Sequence, residues 1–527
     1  MVYIANTARG DENQPVYTGS SRFGYLVAFA AATGGLLFGY EIGVIGQVMT
    51  LDSWIYDFDG LTRPLTKDDK GKYTHDKDAY SLLNALTTFS FLVGCAIGAI
   101  AVSTIADTLG RRKTILVSGV LFLIGALCQS FAPIGPLLQI IFYGGRLVGG
   151  FGIGMASMCV PLYIAETAPT HIRGRLITVQ QLMITIGILI ASIMNAIVIS
   201  VMEPVEGYLV TDFPQSNEWR YALAIQMIPA LFLTIIMIFM PESPRWLAAQ
   251  GENEQCLVIL AKLSGLEPNH EYVQYEYKDI LKTVQDEKEI GNGNWSELFS
   301  EESLKRRTII TFLIQLFQQW TGINVIFYYG PQILQNMGLS HRQAQIPGAI
   351  GNNIVNMIGT LPGMYLIEKV GRRSLLISGG IGMFLSQFLV TICLTVGNEE
   401  NKILNVIALM AIASFTISFG ASWGPCAWVY QSEVFPLRVR AKGTGLATFS
   451  NWFNGALVSA INPFFQSNFP NQMFLVYGCM DVLATIFAYK FVPETMGKSL
   501  EDMEYLFKDY DNMDSTISGV EVTANKK

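Results

Sequence analysis

Two stretches of the sequence are nearly alike: DTLGRR at residues 107–112 and EKVGRR at residues 368–373. Their glycines, Gly110 and Gly371, are 261 residues apart (371 − 110). Each stretch separates two apolar runs, so an acidic residue ends one helix and two arginines lie in the following turn. Two further landmarks recur in the same order, 267 (433 − 166) and 252 (494 − 242) residues apart: Glu166 with Arg173 recurs as Glu433 with Arg440, and Pro241-Glu242-Ser243 recurs as Pro493-Glu494-Thr495. These three landmarks predict an internal repeat of two similar halves.

The apolar residues around the landmarks predict a membrane protein. Of the 527 residues, 51% are hydrophobic and only 15% are charged, and the mean hydropathy is +0.36. The apolar residues gather in runs of about 20, the length that a helix needs to cross the hydrocarbon core. We predict an all-α membrane protein of twelve transmembrane helices in two six-helix halves. The predicted spans begin near Phe23, Leu82, Lys113, Leu137, Leu176, Tyr221, Ile309, Pro347, Ser374, Lys402, Gly443 and Met473.

The short basic loops predict how the protein is oriented. They follow spans 2, 4, 8 and 10, which all end on one side, and the positive-inside rule makes that side the cytoplasm, together with both termini. Five segments follow from this arrangement: a cytoplasmic N-terminal tail (1–22), an N-terminal six-helix bundle (23–241), a cytoplasmic linker with short helices (242–308), a C-terminal six-helix bundle (309–493) and a cytoplasmic C-terminal tail (494–527).

Six motifs between Gly34 and Glu501 resemble the sugar porter family of the major facilitator superfamily. They are GGLLFGY at 34–40, Gly145-Arg146, PLY at 161–163 with Glu166, PESPRW at 241–246, QQWTGIN at 318–324, and PET at 493–495 with Gly497. The resemblance implies the major facilitator fold, alternating access, and a hexose or pentose such as glucose or xylose as substrate. The first copy of the basic motif departs from the family pattern, with Ser103 where a glycine is usual and Thr108 where a basic residue is usual.

Neutral polar side chains in the spans are candidates for the sugar site. Sugar hydroxyls donate and accept hydrogen bonds, and amides answer in both ways without charge, while an aromatic face covers the C–H side of the ring. By resemblance, Gln181, Gln315, Gln318, Asn324, Asn356 and Trp428 match the family's sugar-contacting positions. The full set of candidate substrate-binding residues is Gln181, Gln315, Gln318, Gln319, Asn324, Tyr328, Asn356, Trp428 and Asn451. The alternative is ordinary hydrogen bonding between membrane helices.

Charged residues inside the spans are the most discriminating feature, because charge is costly in lipid. Glu41 in span 1 and Arg146 in span 4 match positions at which proton-coupled members of the family, by resemblance, set a carboxylate against an arginine. We favour sugar:proton symport through this pair. Facilitated diffusion by uniport stays open, since fungal facilitators of the family also carry an acid there. Asp481 in span 12 is unusual for the family, and a helix-packing role is favoured over a second proton site.

The basic motifs predict a latch at the cytoplasmic face that holds the outward-open state. Exposed ion pairs contribute only about 0–1 kcal/mol each, so such a latch must act as a network. The predicted members are Asp107, Arg111, Arg112, Glu166, Arg173, Glu368, Arg372, Arg373, Glu433 and Arg440. The alternative is that these charges are topology signals and solvated groups.

Other classes of function have little support in the sequence. The seven cysteines and four histidines have no disulfide or metal-site spacing, and no nucleophile–base pair or cofactor loop is evident, so we expect no enzyme, metal or cofactor. The basic residues lie in short clusters beside spans, which argues against nucleic-acid binding. A non-transporting sugar-sensing receptor and a polyol or quinate transporter are the remaining alternatives. We expect a multi-pass protein of the plasma membrane that functions as a monomer with a sugar, a proton and the lipid bilayer as partners.

Overall fold

The computed structural model describes residue 19 and residues 22–59, 66–67, 73–74, 77–133, 135, 137–168, 173–202, 217–290, 293–337, 339–340, 343–397, 401–496, 503 and 506–507. Within these ranges the chain is helical almost throughout. The one sheet there is the antiparallel pair β1 (Thr66–Lys67) and β2 (Tyr73–Thr74), in which Thr66 pairs with Thr74 and Lys67 with Tyr73. The predicted all-α class is confirmed.

The first half of the chain forms eight helices. The long ones follow the apolar runs of the sequence, and the short α2 lies in the segment between the first two of them. The helices are α1 (Arg22–Val48), α2 (Asp52–Asp59), α3 (Lys77–Leu109), α4 (Arg111–Phe131), α5 (Leu138–Thr167), α6 (Arg173–Met202), α7 (Glu218–Ala224) and α8 (Met227–Phe239).

A charged linker and the second half follow. The linker helices are α9 (Pro244–Ala249), α10 (Asn253–Ser264), α11 (Glu271–Ile290) and α12 (Glu297–Ser300). The second half contains α13 (Glu302–Trp320), α14 (Ile323–Asn336), a π-helical turn (Ala344–Gly348), α15 (Ala349–Leu366), α16 (Arg372–Val396), α17 (Lys402–Ala421), α18 (Trp423–Val434), α19 (Leu437–Asn468) and α20 (Met473–Phe491).

Ten segments among the described residues are long and apolar enough to cross a membrane. They agree within a few residues with ten of the predicted spans, apart from the seventh, which begins at Glu302, seven residues before the predicted Ile309. The two predicted spans that do not qualify coincide with α15 and α19, both of which are long helices rich in Gly and Asn. The count of twelve spans and the cytoplasmic position of the termini therefore stay predictions.

The helix bundle exposes many large apolar side chains on its surface and buries many polar ones within its largely apolar interior. Large apolar residues on its surface include Ile140 and Val201, which are 70% and 77% exposed. In water such a surface would be an aggregation hazard, whereas lipid is its natural solvent. Many amides, hydroxyls and charged groups are instead buried between the helices, and they define the site described below.

The two halves contact each other near both ends of the bundle. At one end Gly46 of α1 lies so close to α14 that a Cβ atom there would be 2.5 Å from the carbonyl oxygen of Phe327. At the other end, which carries the short basic loops and is called the basic end below, a Cβ atom on Gly445 of α19 would be 3.0 Å from the Cβ of Ser103 on α3. The helices are thus closed on each other above and below the middle of the bundle.

Candidate functional site

A buried ion pair occupies the first half. Arg146 on α5 and Glu41 on α1 are each 1% exposed, and Nη1 of the arginine lies 2.5 Å from Oε1 of the glutamate. Arg146 also donates from Nε to the Thr87 carbonyl (2.5 Å) and from Nη1 to Oε1 of Gln129 (3.3 Å). Its guanidinium packs over the Phe91 ring, with the centroid 5.0 Å away. The arginine is therefore bonded to three helices of this half.

The glutamate is much less firmly held than the arginine. Among the described residues Oε2 of Glu41 is buried without a hydrogen-bond partner, so its bond to Arg146 is the main compensation for its charge. A buried ionised carboxylate with one free oxygen is costly, and adding a proton to Glu41 would remove that charge. The carboxylate is thus the less fully hydrogen-bonded partner of the pair.

A cluster of amides occupies the second half, with Asn451 of α19 at its centre. Nδ2 of Asn451 donates to Oε1 of Gln315 at 2.6 Å and also to Oε1 of Gln318, while its Oδ1 accepts from Nε2 of Gln319 at 2.8 Å. Nδ2 of Asn324 donates to Oε1 of Gln319 at 2.5 Å. All five side chains are buried, and together they are called the amide cluster below.

The amide cluster depends on two breaks in the helices. Asn324 faces the glutamines because α13 ends at Trp320 and α14 begins at Ile323. Nε2 of Gln318 donates to the carbonyls of Trp423 (3.0 Å) and Gly424 (3.1 Å), which are the first two residues of α18, directly after the break from α17. Broken helices supply backbone polar groups deep in a bundle only where protein or a cavity satisfies them.

The other predicted sugar contacts are all buried in the bundle. The amide nitrogen of Gln181, on α6 of the first half, lies 3.2 Å from the position of a Cβ atom on Gly424, so it faces the cluster across the two halves. Asn356 and Trp428 are buried, and among the described residues Oδ1 of Asn356 has no hydrogen-bond partner. Tyr328 is buried on α14, within electrostatic range of Glu41 and Arg146.

Two functional candidates lie outside the nine predicted substrate-binding residues. Gln431 of α18 accepts from Nε2 of Gln315 at 2.8 Å and so extends the amide cluster. Trp452, next to Asn451, donates to Oγ of Ser157 on α5 at 2.9 Å and packs edge-on against Phe38 of α1 at 4.8 Å between ring centroids. Trp452 thereby joins the amide cluster to both helices that carry the ion pair. Its only signal in the sequence is its position beside a membrane asparagine.

A cavity of about 250 Å³ lies between the halves. Its lining is mostly apolar, with a few polar side chains from α1, α6 and α15, including Gln47, Ser192 and Asn353. Asn353 bridges the halves by donating from Nδ2 to Oγ of Ser192 at 2.6 Å. An apolar cleft with a few convergent polar groups is typical of a small-molecule path or site.

At the basic end, the first copy of the repeated motif forms a charged cluster within its own half. Nε of Arg111 lies 3.1 Å from Oε2 of Glu166, and its Nη1 lies 3.2 Å from Oδ1 of Asp107. Oγ of Ser243 donates to the same Glu166 oxygen, and the backbone N–H of Arg112 donates to Oε1 of Glu242 at 3.0 Å. Glu242 thus caps the amino terminus of α4.

The second copy repeats this arrangement. Nη2 of Arg372 lies 2.7 Å from Oε1 of Glu433, whose Oε2 accepts from Thr495 Oγ1 at 2.9 Å. The backbone N–H groups of Arg372 and Arg373 donate to Glu494 at 2.8 and 3.0 Å. Glu494 therefore caps α16 as Glu242 caps α4, which explains why the Pro-Glu-Ser and Pro-Glu-Thr landmarks recur with the basic motif.

The remaining latch candidates have other partners. Glu368 reaches across the halves to Arg175 of α6, with Oε2 3.1 Å from Nη2 and Oε1 accepting from the backbone N–H at 3.0 Å. Nε of Arg440 donates to the Phe435 carbonyl at 3.1 Å. The side chain of Arg173 lies outside the described residues. Among the charged pairs at this end, Arg175 with Glu368 is the one that directly joins the halves within the described part of the chain.

The comparisons with known proteins agree with this geometry. A family model described as "Sugar (and other) transporter" matches residues 27–507. The chain is 32% identical to the glucose transporter GlcP of Staphylococcus epidermidis over 484 residues, 91% of this chain and 96% of that protein. It is also 32% identical to the low-affinity glucose transporter HXT1 of Saccharomyces cerevisiae over 512 residues, 95% of this chain and 83% of that protein.

Among solved structures, the proton:xylose symporter XylE bound to 6-bromo-6-deoxy-D-glucose matches with a TM-score of 0.78 at 29% identity, covering 93% of this chain and 100% of that chain. The inward-open conformation of XylE from E. coli matches with a TM-score of 0.69 at 30% identity, covering 92% and 99%. The predicted resemblance is confirmed. This chain belongs to the sugar transporter family of the major facilitator superfamily, whose members are membrane transporters and not enzymes.

Proposed function

We propose that the protein carries a monosaccharide across the membrane by alternating access, with the sugar bound at the amide cluster. The observation that carries this proposal is the convergence of Gln315, Gln318 and Gln319 on Asn451, buried in the middle of the bundle beside the first half. Each amide offers a donor and an acceptor, as sugar hydroxyls require. A sugar would exchange these mutual bonds for its own, and Oδ1 of Asn356 offers one more buried acceptor.

We propose further that transport is coupled to protons through Glu41. A proton on Glu41 removes the charge that holds it to Arg146 and frees α1 to move relative to α5. Trp452 contacts both helices and adjoins Asn451, so a sugar-induced shift of α19 acts on the two helices that carry the ion pair. Coupling then means that the protonated and sugar-bound states favour the same arrangement of the halves.

The latch at the basic end fits this cycle. Arg175 and Glu368 join the halves, so the basic end opens only when this pair and the packing of α3 on α19 separate. The clusters around Arg111 and Arg372 bond within their own halves and keep each half rigid as it moves. Opening at the other end requires that α1 leave α14 at Gly46.

The remaining parts of the proposal concern organisation and location. The two bundles of residues 23–241 and 309–493 are the moving halves, and twelve spans with cytoplasmic termini are the topology that the basic loops favour. We place the protein in the plasma membrane. We expect it to work as a monomer, because one chain contains both halves of the pathway. Glucose and xylose are the first substrates to test, since relatives named for both sugars match nearly the whole chain.

The deciding experiment measures alkalinisation of a weakly buffered suspension of expressing cells when glucose or xylose is added. We expect proton uptake in the wild type and none in Glu41→Gln, while exchange of labelled sugar across the membrane persists in the variant. Glu252→Gln, a neutralisation in the exposed part of the linker, is the matched control and should behave as the wild type.

Three outcomes would contradict parts of the proposal. Sugar entry without any pH change in the wild type would establish facilitated diffusion and leave Glu41 as a structural partner of Arg146. Loss of sugar exchange in Glu41→Gln would assign Glu41 to binding or folding. No uptake of either sugar would redirect the assignment to polyols, quinate-like acids or sensing.

A further inference from the structure

A second buried carboxylate, Asp481, lies away from the ion pair. It is 0% exposed on α20, and its Oδ2 accepts from Nε2 of Gln387 on α16 at 3.2 Å. Among the described residues no lysine, arginine or histidine forms an ion pair with it. Its polar neighbours on the same helix are Tyr477, one turn earlier, and Thr485, one turn later, whose Oγ1 donates to the Asp481 carbonyl at 2.7 Å. An isolated ionised carboxylate in such a place is expensive, so the neutral acid suits the site.

The hydrogen bonds of the pair support the same protonation state. Oδ1 of Asp481 and Oε1 of Gln387 are both buried without a hydrogen-bond partner in the described part of the chain. With an ionised aspartate both atoms are acceptors, and neither can satisfy the other. A proton on Asp481 provides the missing donor, as in a carboxylic acid paired with an amide. The orphaned atoms are therefore complementary when the acid is neutral.

Gln387 connects this acid to the helix break that shapes the amide cluster. The same Nε2 donates to the carbonyl of Thr321 at 2.7 Å, at the break between α13 and α14. Oγ1 of Thr321 donates to the carbonyl of Gln318 at 2.7 Å, so the break is bonded to a residue of the amide cluster. Three hydrogen bonds in sequence, Asp481–Gln387, Gln387–Thr321 and Thr321–Gln318, thus connect α20 through α16 to the glutamines.

Gly322, the other residue of the break, packs against the same face of α20. Gly322 has φ of +84°, and a Cβ atom there would lie 2.8 Å from the ring of Tyr477. Only glycine adopts this backbone conformation readily and also leaves room for the ring. Tyr477 and Asp481 are one helical turn apart, so one stripe of α20 supports both residues of the break.

We propose that Asp481, in its protonated form, and Gln387 are positioning residues that hold the break between α13 and α14 so that Asn324 and the glutamines form one sugar-binding surface. This inference rests on the proposed sugar site. It makes Asp481 a fixed neutral acid, distinct in role from Glu41, which changes its charge during the cycle. Position 481 therefore needs a hydrogen-bonding group of this shape and no charge.

The test compares Asp481→Asn, which keeps a neutral group of the same shape, with Asp481→Leu and Gln387→Met, which remove the hydrogen bonds. The matched control is Ser386→Ala, because Oγ of Ser386 bonds only to Gly382 of its own helix in the described structure. Two quantities are measured on the full-length protein in proteoliposomes: the KM of sugar exchange, and hydrogen exchange of the backbone amides of residues 319–326.

We expect Asp481→Asn and Ser386→Ala to keep the wild-type KM and proton-driven accumulation. Gln387→Met and Asp481→Leu should raise KM about tenfold, the factor that equals ~1.4 kcal/mol. They should also speed hydrogen exchange at 319–326 while leaving α1 to α6 unchanged, which a general loss of stability would not do.

Two results would overturn the proposal. If Asp481→Asn lost accumulation but kept exchange of sugar, Asp481 would carry a proton in the cycle. If Gln387→Met kept both the KM and the hydrogen exchange of the wild type, the break would not depend on this pair. Failure of the wild type to bind sugar would refute the proposed sugar site alone, because the hydrogen-exchange readout requires no sugar.

Discussion

The two halves of the molecule repeat one motif at the basic end but use its acidic residue differently. Glu368 of the second half crosses to Arg175 of the first and forms an ion pair at 3.1 Å. Its counterpart Asp107 is one methylene shorter and pairs with Arg111 one turn along, at 3.2 Å, with Lys442 only within electrostatic range. Arg175 and Lys442 occupy equivalent places in the repeat, 267 residues apart (442 − 175). The shorter acid, Asp107 in place of Glu368, and the different cation, Lys442 in place of Arg175, thus leave one of the two equivalent contacts between the halves unformed.

The interiors of the halves differ more than their ends. The first half buries a charged pair, Glu41 with Arg146, whereas the second half buries the neutral amide cluster around Asn451. A buried carboxylate in a membrane protein is suited to binding a proton, and amides are suited to hydrogen bonding with sugar hydroxyl groups. The comparison teaches that the repeat keeps the glycines and helix caps at the basic end, while the proposed function assigns proton binding to one interior and sugar binding to the other.

The largest effect should follow from removing the cation of the charged half. Arg146→Gln leaves Glu41 buried without its partner, which costs about 3–5 kcal/mol. We expect a strongly lowered midpoint of thermal unfolding, measured by intrinsic fluorescence in lipid nanodiscs, and no active transport. Glu41→Gln with Arg146→Gln should recover part of the loss, because no unpaired charge remains. A double variant as unstable as Arg146→Gln alone would show that the pair is not the source of the cost.

Removal of the centre of the amide cluster should weaken sugar binding without a comparable loss of stability. Asn451→Ala deprives three glutamines of their common partner, and we expect the KM of sugar exchange to rise more than about tenfold, or ~1.4 kcal/mol. Asn454→Ala is the control on the same helix, since Asn454 bonds to Trp320 and Ser450 instead. Equal effects of the two substitutions on KM would argue against a sugar site centred on Asn451.

The glycines of the repeated motif provide a test of true equivalence between the halves. Gly110 and Gly371 have φ of +89° and +91°, and each lies against the carboxylate that caps the following helix. Alanine at either position meets both the strained backbone and that carboxylate, so each substitution should cost about 1–3 kcal/mol. We expect Gly110→Ala and Gly371→Ala to lower the unfolding midpoint equally in the same fluorescence assay. A clear difference would mean that the caps Glu242 and Glu494 do not contribute alike.

The smallest effect, and the sharpest test of the unequal contacts, comes from exchanging the acidic residues. Glu368→Asp should shorten the reach to Arg175 and favour opening at the basic end, whereas Asp107→Glu should extend toward Lys442 and favour closure. Exposed pairs contribute about 0–1 kcal/mol, so the shift in populations should not exceed about fivefold. Accessibility of a single cysteine placed in the cleft at the basic end measures the shift. Changes of the same sign in both variants would contradict the comparison.

Much of this structure could be predicted from the sequence because lipid simplifies the physics. Apolar runs and basic loops predict long helices and their order, and the repeated landmarks predict two similar halves. The sequence also selected Glu41 with Arg146 and the glutamines of α13, because charge and amides stand out against an apolar background. Gln431 was missed, since an isolated glutamine in a span carries no signal of its partner, and the contact of Trp452 with Ser157 of the other half was equally invisible in the sequence.

The sequence by itself determined the class of the protein, its helices and the chemistry of its site, since each depends on composition and local spacing. Only the tertiary structure decided which groups meet: that Asn451 joins three glutamines, that Glu242 and Glu494 cap helices more than 120 residues away, and that Glu368 and not Asp107 crosses the halves. The reason is that a hydrogen bond or ion pair forms only when two atoms from distant segments lie within a few tenths of an ångström of the right separation. The packing of the helices sets those distances, and no local pattern records them.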